Sequence, residues 1–593
     1  MSNRCSVHRP KRLVLPLAVA AVFAAASGVV SAAPPKPKFS EAKAFDVSPP
    51  LTRILSGRPP VLRSQEPVEI RPERGPVAPD RGHSPDGALQ GTIGSAAARS
   101  LAAPASAAIP APLANFEGIS NQDNFNIFGF RVNPPDPVGD VGPNHYVEMV
   151  NLAFAVYDKQ GNLLLGPLDT GTLWSGFPIE DCTDPSGDPI VIYDQLEDGW
   201  LLSQFTTRGA PFYYNCVAIS QTGDPTGAYY RYAFVTQEDA PGLYYFPDYP
   251  KYGVWTNSYL MTTRDFGDAG GYGISVYALE KNKMLAGNPK ARAVQFFLNS
   301  NDVPIYLMGD GLLPADIDGK RRPLDHVPAP IVGTMDSGFI PYGAPSDALN
   351  IFELSVKWNA TPDASLKLAS QLEVAPFDSV FPCAPTSRDC LPQPGITNPN
   401  QYLDILSYRQ RPTHRLAYRN FGTYEALVTN QSVEAAPGVA GVRWYEIRRE
   451  FPNPKPNSAS KYTVYQQGTY APGDGVNRWM GSAAMDWQGN IALGYSVSNG
   501  TDVFPGIRYT GRKAADPLGQ MTLGEGTIIN GTGVQRTLNS RWGDYTSLNV
   551  DPTDDCTFWY VNEYYTAAGQ ASSTAGWQTR IGSFKLPGCE ARD

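Results

Sequence analysis

Between residues 136 and 565 one pattern of polar and apolar positions keeps returning: a polar or tight-turn start, a short apolar strand, a Gly/Asn/Asp turn, and a second strand rich in Tyr, Trp, Val and Leu. Six stretches superpose on it: DPVGDVGPNHYVEMVN from Asp136, DPIVIYDQLEDGWLLSQF from Asp188, DYPKYGVWTNSYLMTT from Asp248, RLAYRNFGTYEALVTN from Arg415, MGSAAMDWQGNIALGYS from Met480 and GDYTSLNVDPTDDCTFWYVNEY from Gly543. A β-hairpin repeated at long intervals predicts a radial repeat architecture. The expected fold class is all-β, a six- or seven-bladed β-propeller, with blade cores at 136–166, 188–235, 248–286, 293–357, 403–450, 462–512 and 521–586. Helical periodicity is confined to KNKMLAGNPKA from Lys281, room for one short helix. Long loops are expected at 299–329 and 374–402.

The pattern changes toward the N-terminus. Arg9, Lys11 and Arg12 precede an apolar run from Leu13 to Val30 and the small residues Ser31, Ala32 and Ala33, so residues 1–32 read as a secretion signal. The run contains Pro16 and Gly28 and ends in a cleavage site, which favours a signal over a membrane anchor. Residues 33–115 are rich in Pro, Ala, Arg and Ser and poor in aromatics. Such a segment buries too little apolar surface to offset its chain entropy, so a disordered spacer or pro-segment is expected before a propeller domain at 116–589. Outside the signal six cysteines remain, enough for three disulfides in an oxidising compartment. Six cysteines allow 15 pairings; the local choice is Cys182–Cys216, Cys383–Cys390 and Cys556–Cys589. No Cys-x2-Cys spacing suggests structural zinc. A net charge of −9 excludes an electrostatic nucleic-acid binder. The expectation is an exported monomer, extracellular or periplasmic, with no membrane span once the signal is cleaved.

Three Asp residues, Asp158, Asp486 and Asp551, open turns of the form DKQGN, DWQGN and DPTDD. They loosely resemble the Asp-box turns of sialidase-type propellers, without the full Ser-x-Asp-x-Gly-x-Thr-Trp pattern; the resemblance implies a structural role on the outside of the ring. The chain as a whole resembles a group of secreted bacterial β-propeller-like proteins through DPVGDVGPNHYV, DYPKYGVW, LAYRNFG, RWMGSAAMD and RWGDYTSLNVDP, over most of 116–589. That resemblance implies fold and export; it carries no activity with it.

The chemistry must come from a restricted set. There is no G-x-S-x-G elbow, H-E-x-x-H pair, phosphate-binding loop or dinucleotide fingerprint. Histidine is scarce: beyond the signal and spacer His145, His326 and His414 remain, of which His145 and His414 are candidate proton carriers. Asp, Arg, Tyr and Trp are abundant at strand starts, the side chains from which glycan-processing sites are built: paired carboxylates for acid–base work, Arg for anionic groups, aromatic faces for sugar rings. The leading carboxylates are Asp136, Asp140, Asp188, Asp248 and Asp544, of which Asp140, Asp188, Asp248 and Asp544 are the expected catalytic set. Expected substrate-binding residues are Arg415, Arg478, Arg541, Tyr249, Tyr418, Trp479 and Trp542, with Arg419 and Tyr545 at similar positions. Ordinary Asp-Pro turns and Arg–Trp packing between blades are the plainer alternatives. Asp316 and Asp318 in ADIDGK have calcium-like spacing, so a structural calcium is the one cofactor to consider. The leading function is hydrolysis or elimination on an extracellular polysaccharide or glycoconjugate. A non-catalytic adhesin- or lectin-like binding protein is the alternative, and an exported peptidase or inhibitor a third.

Overall fold

Short strands whose residues alternate between two buried faces pair into seven successive four-stranded antiparallel units in the computed structural model of the protein. The described residues are 35–54, 67–70, 80–90, 108–209, 212–240, 243–324, 327–383, 388–405, 410–451 and 461–591. The expected signal, much of the expected spacer and His326 lie outside them.

The fold is an all-β propeller. Each unit starts with an inner strand: Val138–Val141, Ile190–Asp194, Leu243–Val254, Leu313–Ile317, Thr413–Asn420, Asn477–Met485 and Ser547–Val550. The next strands of the chain follow it outward in order. Each inner strand packs on the next, and Ser547–Val550 packs on Val138–Val141, which closes the ring. The seventh unit has only three strands from its own stretch of chain. Its fourth is Ala114–Ser120, which arrives from the N-terminal side and pairs with Trp577–Lys585. Units four and five are also joined directly, through parallel pairing of Ala315 with Leu416 and Ile317 with Tyr418. The packing leaves little room: a Cβ at Gly253 would run into the Ala315 carbonyl oxygen.

Unit boundaries differ from the expected cores in three places. Arg292–Asn299, Thr463–Tyr470 and Glu525–Ile529 are the outermost strands of units three, five and six, not the openings of the next. Outer strands carry the same alternation as inner ones, so alternation alone does not say which side of a unit boundary they fall on. The short helix at Lys281–Leu285 is present, and helices at Asn121–Phe128 and Ala567–Ser572 join it. The three locally paired disulfides are formed. The Asp turns are formed too: Asp158 Oδ1 accepts from the amides of Gln160 and Asn162 at 2.9 and 2.8 Å. Asp486 Oδ1 does the same with Gln488 and Asn490, both at 2.9 Å, and Asp551 Oδ1 with Thr553 at 2.9 Å. No described helix is long and apolar enough to cross a membrane.

The expectation of a disordered segment over 33–115 needs correction for its described parts. Lys38–Glu41 adds a strand to the edge of unit three and Ala44–Val47 one to the edge of unit two. Pro67–Glu69 pairs in parallel with Arg131–Asn133. Residues 80–90 lie on unit five, where Asp86 forms a fully buried ion pair with Arg443 and accepts from Thr469 Oγ1 at 2.8 Å. The open backbone edges of outer strands explain this. A polar segment completes them by hydrogen bonding, with little apolar burial of its own.

Ring closure has an electrostatic brace. Glu148, on the second strand of unit one, is fully buried and accepts from the Ile119 amide at 2.8 Å and from the Thr579 hydroxyl, so one carboxyl holds both closing strands. Burial pushes this carboxyl up to about 8. An unfolded Glu ionises near pH ~4.3, so between that value and about 8 the unfolded chain loses a proton that the native state keeps. Native stability therefore falls as pH rises through this window. Glu148→Gln removes the titration. The melting temperature of the variant minus that of the wild type is expected to rise with pH across the window; a flat difference in thermal melts would refute the assignment.

Candidate active site

The inner strands run parallel around the ring, so their first residues meet at one end. Backbone geometry there is unusual. Asp136, Asp188, Tyr249, Gln410, Met480 and Ser540 have φ of 47°, 43°, 52°, 45°, 48° and 58°, and unit four uses Gly309 at 56°. Each unit thus has one left-handed residue by its inner strand, before the strand in units one, two, four, five and seven and within it in units three and six, and six of the seven carry a side chain, at a cost of roughly 1–2 kcal/mol each. The turn swings these side chains and their neighbours toward the axis.

A hydrogen-bonded chain runs across four of these entries. Asp136 Oδ1 accepts from the Asp544 amide and Oδ2 from Asn151 Nδ2, both at 2.6 Å. Asn151 Oδ1 accepts from the Asp188 amide at 2.9 Å. Asp188 Oδ2 accepts from the Tyr249 amide at 3.2 Å and lies 3.1 Å from the Tyr545 hydroxyl. Cations interleave with these acids. Lys251 Nζ sits 3.0 Å from the Tyr249 ring centre and 3.5 Å from that of Tyr545. The Arg411 guanidinium is 3.8 Å from the Tyr249 ring centre, and its Nη2 is 3.9 Å from Asp544 Oδ2. Arg541 Nη2 lies closer to the same oxygen, at 3.3 Å. Glu563, fully buried beside them, accepts from the Gly543 amide.

The environments drive these groups apart. Burial, then the charges of Asp136, Asp248 and Asp544, raise Asp188 well above the usual carboxylate range and favour its protonated form. Asp136 is raised by burial with Arg541 opposing. Burial and Arg411 push Lys251 well below the usual ammonium range, and burial and Lys251 do the same to His414. Asp544 faces two guanidinium groups. A carboxyl that keeps its proton beside one held by cations is the arrangement general acid–base chemistry requires.

Of the expected catalytic carboxylates, Asp188, Asp248 and Asp544 meet here, with Asp136 as the fourth. Asp140 does not. It lies at the far end of its strand, accepts from the Val141 and Tyr193 amides, each at 2.7 Å, and is pushed up to about 7 by burial. Arg415 is at that far end too. Its Nε donates to Asp316 Oδ2 at 2.9 Å and its Nη1 and Nη2 to Asp318 at 3.0 and 2.8 Å. The carboxylates expected to attract calcium are thus held by a guanidinium. A cavity of about 210 Å³ opens beside them, lined by Asp318, Lys320, Arg321, Arg419, Phe421 and Trp487.

Four other expectations are corrected. Arg478 is held by Asp474 and Glu525, each at 2.8 Å, away from the axis. Trp479 and Trp542 are fully buried against each other, ring centres 5.1 Å apart, as packing between units six and seven and not as sugar platforms. Tyr418 is buried, with its hydroxyl donating to Glu425 Oε2 at 2.8 Å. Arg541 and Tyr249 do reach the axial cluster. Sequence reasoning missed Lys251, Arg411, Asn151, Glu563 and Glu69, whose Oε1 is 3.8 Å from Arg541 Nη1. The repeat held a signal for Lys251, which stands three residues past Asp248 in a matched stretch.

The sequence matches no protein-family model and no curated protein. Solved structures that align with the chain include the α-L-arabinanase of Penicillium chrysogenum complexed with arabinobiose, at 12% identity, over 67% of this chain and 94% of that one, with a TM-score of 0.27. The endo-arabinase of Bacteroides thetaiotaomicron aligns at 13% identity over 54% of this chain and 92% of that one, with a TM-score of 0.24. A thermostable family-43 glycoside hydrolase aligns at 10% identity over 69% of this chain and 97% of that one, with a TM-score of 0.23. These likenesses are too distant to bear on the chemistry of the present side chains.

Two isosteric substitutions separate the roles of the acids. Asp188→Asn replaces a protonated carboxyl and is expected to change stability at neutral pH by less than about 1 kcal/mol. Asp544→Asn removes the countercharge of buried Arg541 and Arg411 and is expected to cost about 3 kcal/mol. Denaturant unfolding of both variants measures the contrast, and equal losses would show the two carboxyls to be in the same state.

Proposed function

We propose that the protein is an exported β-propeller that hydrolyses an extracellular glycan at the axial cluster. The observation that carries this reading is the convergence of Asp136, Asp188, Asp248 and Asp544, from units one, two, three and seven, where burial favours the protonated form of Asp188 and Arg541 lies beside Asp544. In this reading Asp188 protonates the leaving oxygen. Asp544, held beside Arg541 and Arg411, acts on the opposite side of the sugar, on water or on the anomeric carbon. Arg541 orients the substrate, and the Glu69 carboxylate beside it marks where an acidic group of a uronate or sialate would bind. Export follows from the signal-like N-terminus and agrees with three disulfides.

The test is an activity screen of the full secreted chain against neutral and anionic polysaccharides, following new reducing ends and the ultraviolet absorbance of unsaturated products. New reducing ends without absorbance are expected, and Asp188→Asn should lower the rate at least ~100-fold with its melting temperature retained. Because the acid must be protonated, the rate should fall as pH rises through the Asp188 ionisation. Absorbance would move the chemistry to elimination, and binding without product would make the protein a glycan-binding module. Either result overturns the proposal.

A further inference from the structure

The N-terminal segment brings one histidine to the surface of unit five. His83 precedes Ser84, whose amide donates to Asp378 Oδ2 at 3.1 Å. Two residues further Asp86 is locked to Arg443, and beyond it the Gln90 amide donates to the Thr469 carbonyl at 3.0 Å. The position of His83 is therefore fixed from its C-terminal side. Facing it are Asp378, on the connection between units four and five, and Glu434, on the strand Tyr424–Ala436. These two are braced against each other, the Glu434 amide donating to the Asp378 carbonyl at 2.7 Å.

The side chains point donors at one spot. One oxygen of Glu434 is used: Oε1 accepts from the Gly438 amide at 2.6 Å. The other, Oε2, has no hydrogen-bond partner although the residue is only 2% exposed. His83 Nδ1 is likewise without a hydrogen-bond partner and lies 3.5 Å from Glu434 Oε2. With an Asp378 oxygen, these ligand atoms all stand within 4.8 Å of one another. A buried carboxylate oxygen with nothing to accept is expensive, and an imidazole nitrogen beside it is the other half of a metal site. The spacing fits: two ligand atoms each about 2.1 Å from a tetrahedral ion stand roughly 3.4 Å apart.

We propose that His83, Asp378 and Glu434 bind one divalent transition-metal ion of the zinc type, which clasps the N-terminal segment to the fifth unit. One imidazole and two carboxylates suit zinc better than calcium or magnesium, which prefer all-oxygen sites. The partly exposed His83 leaves the fourth position to water. The clasp is independent of the axial acids, so it can hold or fail without touching the glycan reading.

The test is calorimetric titration of the chelator-stripped full chain with zinc chloride, with limited proteolysis of the N-terminal segment as a second readout. One ion per chain is expected, with zinc slowing cleavage near residues 80–90. His83→Ala and, separately, Asp378→Asn should weaken zinc binding at least ~10-fold and abolish that protection, while His145→Ala changes neither. No uptake by the wild type, or uptake unchanged in both ligand variants, would overturn the proposal.

Discussion

Everything at the axis depends on the pairing of Ala114–Ser120 with Trp577–Lys585. A ring of sheets is stable only if its last unit is bonded to its first, because an open ring exposes two apolar unit faces and one strand edge. Here the closing strand precedes all seven units in the chain and completes the last of them. Glu148 reaches from unit one to the Ile119 amide on that strand and to Thr579 beside it, so backbone pairing and a buried carboxyl secure the same seam. The Asp136–Asp544 contact spans this seam as well. The acid cluster exists only while the ring is shut.

Closure also explains why charge collects in the interior. Seven inner strands leave two axial mouths, and part of the buried charge gathers there. The two mouths neutralise their charge differently. At the far end Arg415 meets Asp316 and Asp318 in close, directional pairs, a static network. At the entry end the cations lie against tyrosine rings as much as against carboxylates, and the left-handed entry residues hold strain. Left-handed backbone of this kind clusters at binding and catalytic sites.

The sequence made the propeller legible because hairpin turns and alternating strands are local, and the same locality made the disulfide pairs readable. It also located Asp188, Asp248 and Asp544, since each opens a matched stretch. It misjudged Asp140 for a geometric reason: Asp136 precedes a strand of only four residues and Asp140 is the third of them, and those few positions separate the two side chains along the axis. The repeated Arg–Trp pairs at 478–479 and 541–542 looked equivalent in sequence, yet Arg478 turns outward to Glu525 and Arg541 inward to Asp544. The nearby partners differ as well: Asp474 lies four residues before Arg478, whereas Asp544 lies three residues after Arg541. Lys251 and Arg411 were hidden because a cation on a strand reads as solvent-facing unless the axis is known.

The N-terminal segment was the least legible part, because its order comes from the propeller and not from its own composition. Its strands satisfy the edges of units two and three, its Asp86 neutralises Arg443 inside unit five, and its Glu69 stands beside Arg541 at the axial site. A segment held only as a spacer would have no reason to present a buried acid to one arginine and a second acid to another. These contacts tie the segment to the seam-dependent site at one point and to the outer surface of unit five at another. The segment therefore reaches the axial cluster through Glu69: whatever loosens it near that residue also removes one of the carboxylates beside Arg541, while Asp544 stays.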